Sequence, residues 1–244
     1  MKKTIGGAAL LVLLATAAQA QIAPGTILLG GTMRYSAQSR EGTLANTDQT
    51  VKLAQTNQFT ISPTVGYFLS ENLAVGLNLS YSHLKTTDYQ YIVAVPVSGS
   101  GLGSVIKNGR IESKGPSFSV GPVARYYAFV GEKAAFFGQL GAGFWGDRTE
   151  SKPEDVLVGS PSSARSTGSG YYAQLAPGFV FFPTPKFGLE VSLQGLMYQR
   201  GESKTEITSS IQPKPVSQES TNSSFAAGLG LSNLQIGAAF YLGR

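Results

Sequence analysis

Strict alternation of side-chain type over residues 57–82 constrains this chain most. Phe59, Ile61, Pro63, Val65 and Tyr67 alternate with Gln58, Thr60, Ser62, Thr64 and Gly66. After the short turn Ser70-Glu71-Asn72, Leu73, Val75, Leu77, Leu79 and Tyr81 alternate with Ala74, Gly76, Asn78, Ser80 and Ser82. A period of two places one set on each face of a β-strand. The polar set is the unusual one, being small and uncharged. A water-soluble sandwich would carry Lys and Glu there, whereas a narrow, hydrogen-bonded interior wants Ser, Thr, Asn, Gln and Gly with the oily set turned outward to lipid.

The same reading predicts strands near 26–37, 56–69, 73–84, 116–130, 134–146, 169–183, 186–200 and 223–242. Their connections alternate in length, long at 38–55, 85–115, 147–168 and 201–222 and tight at 70–72, 131–133 and 184–185. An outer-membrane barrel with both termini in the periplasm requires that order, with short periplasmic turns and long extracellular loops. The expected fold is therefore all-β, an eight-stranded antiparallel up-and-down transmembrane barrel.

Residues 1–20 read as a signal peptide: Lys2 and Lys3, an apolar run from Ala8 to Ala18, and the small-residue site Ala18-Gln19-Ala20. Cleavage between Ala20 and Gln21 would leave a barrel domain over 21–244 and lower the formal charge from +5 to +3. No basic run remains to mark a nucleic-acid face, so no nucleic-acid partner is expected. Cysteine is absent, which excludes disulfides, thiolate metal sites, a thiol nucleophile and a lipidated cysteine. With one histidine as well, neither a metal nor another cofactor is expected. Only 14% of residues are charged, too few for a well-solvated soluble surface and suited to a wall facing lipid.

Aromatic residues gather at both strand ends. One set, at the expected periplasmic rim, is Tyr67, Phe68, Phe129, Phe136, Phe137, Phe181, Phe182, Phe187 and Phe240. The other, at the outer rim, is Tyr35, Phe59, Tyr81, Phe118, Phe144, Trp145, Tyr171 and Tyr198. Both are read as interfacial girdles. Pro63, Pro122 and Pro177 sit mid-strand and remove ladder donors, which predicts a bulge at some of them. In the last strand the apolar parity switches near Ser232-Asn233, predicting a bulge or break there.

With this signal, strand count, loop order and closing segment Leu234-Gln235-Ile236-Gly237-Ala238-Ala239-Phe240-Tyr241-Leu242, the chain resembles the small outer-membrane barrels grouped with outer-membrane proteins A and X. The resemblance implies integral outer-membrane location, contact with lipid and lipopolysaccharide, and handling by periplasmic chaperones and the barrel-assembly machinery. The terminal aromatic common in that group is not matched, since the chain runs on through Gly243 to Arg244.

Parity places Arg34, Arg125 and Glu190 in the lumen, with Tyr127, Tyr172 and Trp145. Arg125 and Glu190 fall at similar depth near short turns, and in so narrow a barrel they are expected to pair. His83 lies at the outer end of its strand with Ser82 and Asp88 close in sequence, but strand neighbours point apart, so a lipid A-modifying triad is the remotest reading and no enzyme is expected. Glu150, Glu154 and Asp155 read as solvated loop charges, and Lys85, Lys107, Arg110, Lys114, Arg148, Lys152 and Arg165 as cations able to meet lipid phosphates. The apolar segment 89–97 reads as an extension of its hairpin, and Gly99-Ser100-Gly101-Leu102-Gly103 as a linker. The expected function is structural or surface-interacting with a largely filled lumen. The alternative is a porin-like passive conduit for small solutes.

Overall fold

The computed structural model describes residues 21–43, 49–94, 104–154, 162–209, 214–230 and 234–244. These form ten strands: β1 (Ile27–Thr43), β2 (Thr50–Ser70), β3 (Leu73–Ala94), β4 (Ser104–Phe129), β5 (Ala134–Glu154), β6 (Ser162–Thr184), β7 (Phe187–Ser192), β8 (Gly195–Ser209), β9 (Val216–Gly228) and β10 (Gln235–Leu242). Neighbouring strands pair antiparallel from β1 to β7 in chain order, and β10 joins β7 to β1, so the ring closes through eight strands. Closure removes the sheet edges that lipid would otherwise meet unsatisfied.

The eight expected strands differ from the ten observed in the last two spans. The 186–200 span is β7 and β8, and the 223–242 span is β9 and β10. Pairing runs Gly178↔Ser192 on one side of the first break and Leu175↔Leu196 on the other, so Leu193, Gln194 and Gly195 face Ala176 and Pro177. This is the bulge expected at one of the prolines: Pro177 offers no N–H, its carbonyl accepts from the Leu193 amide at 3.0 Å, and Gly195 takes φ 68°. At Pro63 and Pro122 the register is unchanged and only ladder pairs are missing on one side. Ser232 and Asn233 lie outside the described residues. Among those described, β9 bonds to β8 alone and β1 beyond Met33 to β2 alone, so the wall between them is unzipped at its outer end.

The long loops expected from sequence are largely strand wherever they are described. β3 and β4 stay paired out to Ala94↔Ser104, β5 and β6 to Ser151↔Ala164, and β8 and β9 to Ile207↔Val216. Above the bilayer both faces of a hairpin meet water, so no oily face remains to mark the strand. Polar cross-strand pairs hold it instead, including Ser113–Ser151 at 2.7 Å and Ser203–Ser220 at 2.8 Å. Tyr89 to Ala94 of the apolar segment belong to β3, while residues 95–97 and the linker 99–103 lie outside the described residues.

Outward positions form an apolar belt in which Val65, Leu77, Leu79, Leu140 and Phe144 are all exposed. The buried core sits inside the ring at the end that carries the short turns. An arginine in the belt must leave its charge in hydrocarbon. Leu140→Arg, near the middle of the spanning part of β5, is expected to lower stability in lipid vesicles by about 2–4 kcal/mol. Equal unfolding midpoints in urea for variant and wild type would contradict the lipid-facing assignment.

Candidate functional site

The inward face at the turn end is built from residues that period two delivers from four strands. Arg125 and Tyr127 stand two apart on β4, Gln139 faces Arg125 on β5, Glu190 projects from β7 and Tyr241 from β10. Arg125 Nη1 donates to both Glu190 oxygens, at 2.8 and 2.9 Å, and to the Tyr127 hydroxyl at 3.1 Å. Its Nε and Nη2 donate to Gln139 Oε1 at 2.9 and 2.7 Å. The Tyr241 hydroxyl donates to Glu190 Oε1 at 3.1 Å and lies 3.2 Å from that of Tyr127. The guanidinium also sits 4.3 Å from the Phe137 ring centroid. Arg125 is 6% and Glu190 1% exposed, so each charge depends on the other and on these donors.

Beneath this layer the lumen is filled by rings. Phe68 packs on Tyr127 and Tyr241 with centroids 5.6 and 6.2 Å apart, and Phe129 stacks on Phe182 at 5.6 Å. Arg244 covers the pair from the turn end, 4.2 Å from Phe182. Ile22, fully buried, enters the same cluster. It is held by Asn72, whose Oδ1 accepts from the Ile22 amide at 3.0 Å and whose amide donates to the Ile22 carbonyl at 3.1 Å. Asn72 takes φ 62°, a conformation asparagine tolerates.

These packing facts correct the girdle reading. Phe68, Phe129, Phe137 and Phe182 lie inside the barrel, while Tyr67, Phe136, Phe181 and Phe240 face outward as expected. Successive side chains at a strand end point to opposite sides, so depth alone could not distinguish a girdle from a plug. Tyr241 and Gln139 were missed in the sequence reading, although their parity, opposite to that of Phe240 and Leu140, was a usable signal. In the outer set Trp145 turns inward, and Tyr35, Phe59, Tyr81, Phe118, Phe144, Tyr171 and Tyr198 are exposed.

Above the plug lies a cavity of about 200 Å³ whose lining includes Arg34, Arg125, Gln139, Trp145, Tyr172 and Gln199. Arg34 is not part of the Arg125–Glu190 network, and its buried Nε has no hydrogen-bond partner among the described residues. Ala20 lies outside the described residues, which begin at Gln21. His83 is exposed on the outward face, whereas the buried Ser82 hydroxyl points inward and accepts from Gln58 and Thr60 at 3.0 Å each.

On the strand extensions beyond the belt, Lys85 and Lys114 flank Glu112 at 2.7 and 3.1 Å, and their hydrogen bonds hold its carboxyl below the usual carboxylate range. Arg148, Arg165 and Lys152 surround Glu150 at 3.0, 3.1 and 3.8 Å and lower its carboxyl likewise, the Arg148 hydrogen bond contributing most. Arg110 bonds Glu154 through Nε at 2.8 Å. Asp155 lies outside the described residues.

No curated protein sequence matches the chain at a significant level. Among solved structures, the outer membrane protein OprG of Pseudomonas aeruginosa is similar over 93% of this chain and 99% of its own, at 16% identity and a TM-score of 0.41. The model of the outer membrane protein beta-barrel domain family matches residues 6–232. With the closed antiparallel ring and its lipid-facing belt, that match makes this chain a member of the outer membrane protein beta-barrel family, integral to the outer membrane.

Proposed function

We propose that this protein is a structural or surface-interacting barrel whose lumen is closed toward the periplasm. The observation that carries the reading is the plug, in which Tyr127, Tyr241 and Phe68 are fully buried between the Arg125–Glu190 pair and the short turns. In a barrel of eight strands the interior is only just wide enough for side chains, and here large ones meet across it. The working face is then the opposite end, where the hairpins extend beyond the belt. Its cations around Glu112 and Glu150 suit contact with lipopolysaccharide phosphates. His83 has no catalytic part in this reading, and biogenesis follows the chaperone and assembly route common to such barrels.

The test is conductance of the purified protein in planar bilayers. A silent barrel is expected, with single-channel steps emerging when the plug is thinned by a Phe68→Ala, Tyr127→Ala double substitution. Reproducible steps from the wild-type protein would overturn the closed-lumen reading in favour of a porin-like passive conduit. The outer opening between β1 and β9 and the cavity above the plug favour that second reading.

A further inference from the structure

The luminal cavity has a charge imbalance that the plug does not use. Among the described residues its lining holds two charged side chains, Arg34 and Arg125, and no carboxylate. Arg125 is already neutralised by Glu190 from below. Arg34 is the first inward residue of β1 beyond the last β1–β10 pair, Met33↔Ile236, at the level where the wall opens. Among the described residues no carboxylate pairs with it, and its Nε is sealed from solvent without an acceptor. A partly buried guanidinium left in this state draws an anion, because the surrounding low-dielectric wall screens it far less than water would.

The rest of the lining indicates what kind of anion. Gln174, Gln199 and Gln235 bring side-chain amides to the cavity, with Ser62, Ser80 and Ser119 as hydroxyls. Gln174 and Gln199 have no side-chain hydrogen-bond partner among the described residues, so their donors and acceptors are free for a guest. At about 200 Å³ the space is smaller than the roughly 300–1,000 Å³ of sites for drug-sized ligands. With Nε closed off, the two terminal nitrogens of the guanidinium form the fork that matches a planar carboxylate in two parallel hydrogen bonds. We infer that the cavity is a binding site for a small polar carboxylate of the hydroxycarboxylate type, with its anionic end on Arg34 and its hydroxyl among the luminal amides. The plug forms the floor, so the guest enters and leaves by the outer side. This inference rests on the cavity and Arg34, and it holds whether or not the barrel conducts.

Trp145 lines the cavity and is the only tryptophan of the chain, which makes its fluorescence a direct reporter. Titration of the full-length protein, folded in detergent micelles at constant ionic strength, compares sodium lactate, uncharged lactamide and inorganic phosphate. Lactate is expected to change the emission saturably, and lactamide to bind at least tenfold more weakly. Arg34→Gln is expected to weaken lactate at least tenfold, and Arg34→Lys, which keeps the charge but loses the fork, by an intermediate factor. Equal responses to lactate and lactamide, or unchanged lactate binding in either Arg34 variant, would overturn the site. Saturation by phosphate but not by lactate would overturn the carboxylate assignment. If Arg34→Gln fails to fold, the lactamide comparison and Arg34→Lys decide the matter, and a silent bilayer recording alters none of these outcomes.

Discussion

Glu190→Gln is expected to destabilise the folded barrel by about 3–5 kcal/mol, the usual cost of leaving a buried charge without its partner. The substitution hardly changes shape, so the loss isolates the charge. Arg125 would keep Gln139, Tyr127 and one amide oxygen at position 190 as acceptors but lose the neutralising charge and one of the two contacts, at 2.8 and 2.9 Å, in a site where it is 6% exposed. Arg125→Met combined with Glu190→Met is expected to recover most of the loss, because methionine fills the space and the Tyr127 and Tyr241 hydroxyls still meet each other at 3.2 Å. Urea unfolding of protein refolded into phosphatidylcholine vesicles measures both. A Glu190→Gln midpoint equal to wild type would show that the pair is solvated and that the plug does not close the lumen.

Gly121→Val is expected to abolish barrel formation. A Cβ at Gly121 would stand 1.9 Å from the Ala142 carbonyl oxygen, and one at Gly143, across the seam, 2.1 Å from that of Val120. The obstacle is backbone, which cannot swing aside as a side chain can. The two glycines lie where Pro122 interrupts the β4–β5 ladder, with paired residues resuming at Val120↔Phe144 and Val123↔Gly141. Overpacking a well-filled site costs about 1–3 kcal/mol where neighbours can give, and more where they cannot. Folded barrels resist SDS until heated, so gel mobility before and after boiling reads the result. Gly138→Ala, where nothing lies within 4 Å of the added carbon, is the matched control and is expected to fold normally. Normal mobility shift in Gly121→Val would show that the two strands can separate locally without loss of the ring.

Several elements of the site were legible because they depend on period two alone. The inward placement of Arg125, Tyr127, Tyr172 and Glu190 follows from counting alternate residues away from the oily set, and all four are buried. The same parity marks Phe68 and Phe182 as inward, opposite to Tyr67 and Phe181, so their place in the plug is also written in the alternation. The apolar run Tyr89 to Ala94 did mark the far end of β3, but the polar extensions of β4, β5 and β6 were not legible, because a strand with water on both sides carries no oily face. The separation of β7 from β8 was visible only as Pro177, since the matching Leu193–Gly195 bulge lies on the other strand and is tied to it by register.

Local chemistry alone determined which side chains face lipid and which face inward, since neighbouring residues of a strand must point opposite ways whatever the rest of the chain does. Which inward groups meet was decided only by the closed ring. Arg125 and Glu190 are 65 residues apart and reach each other because strand tilt and stagger bring β4 and β7 to one level across a narrow interior. The same closure left Arg34 without a carboxylate among the described residues, and the chain's local pattern holds no trace of that, because partnership across a lumen is a property of the assembled wall.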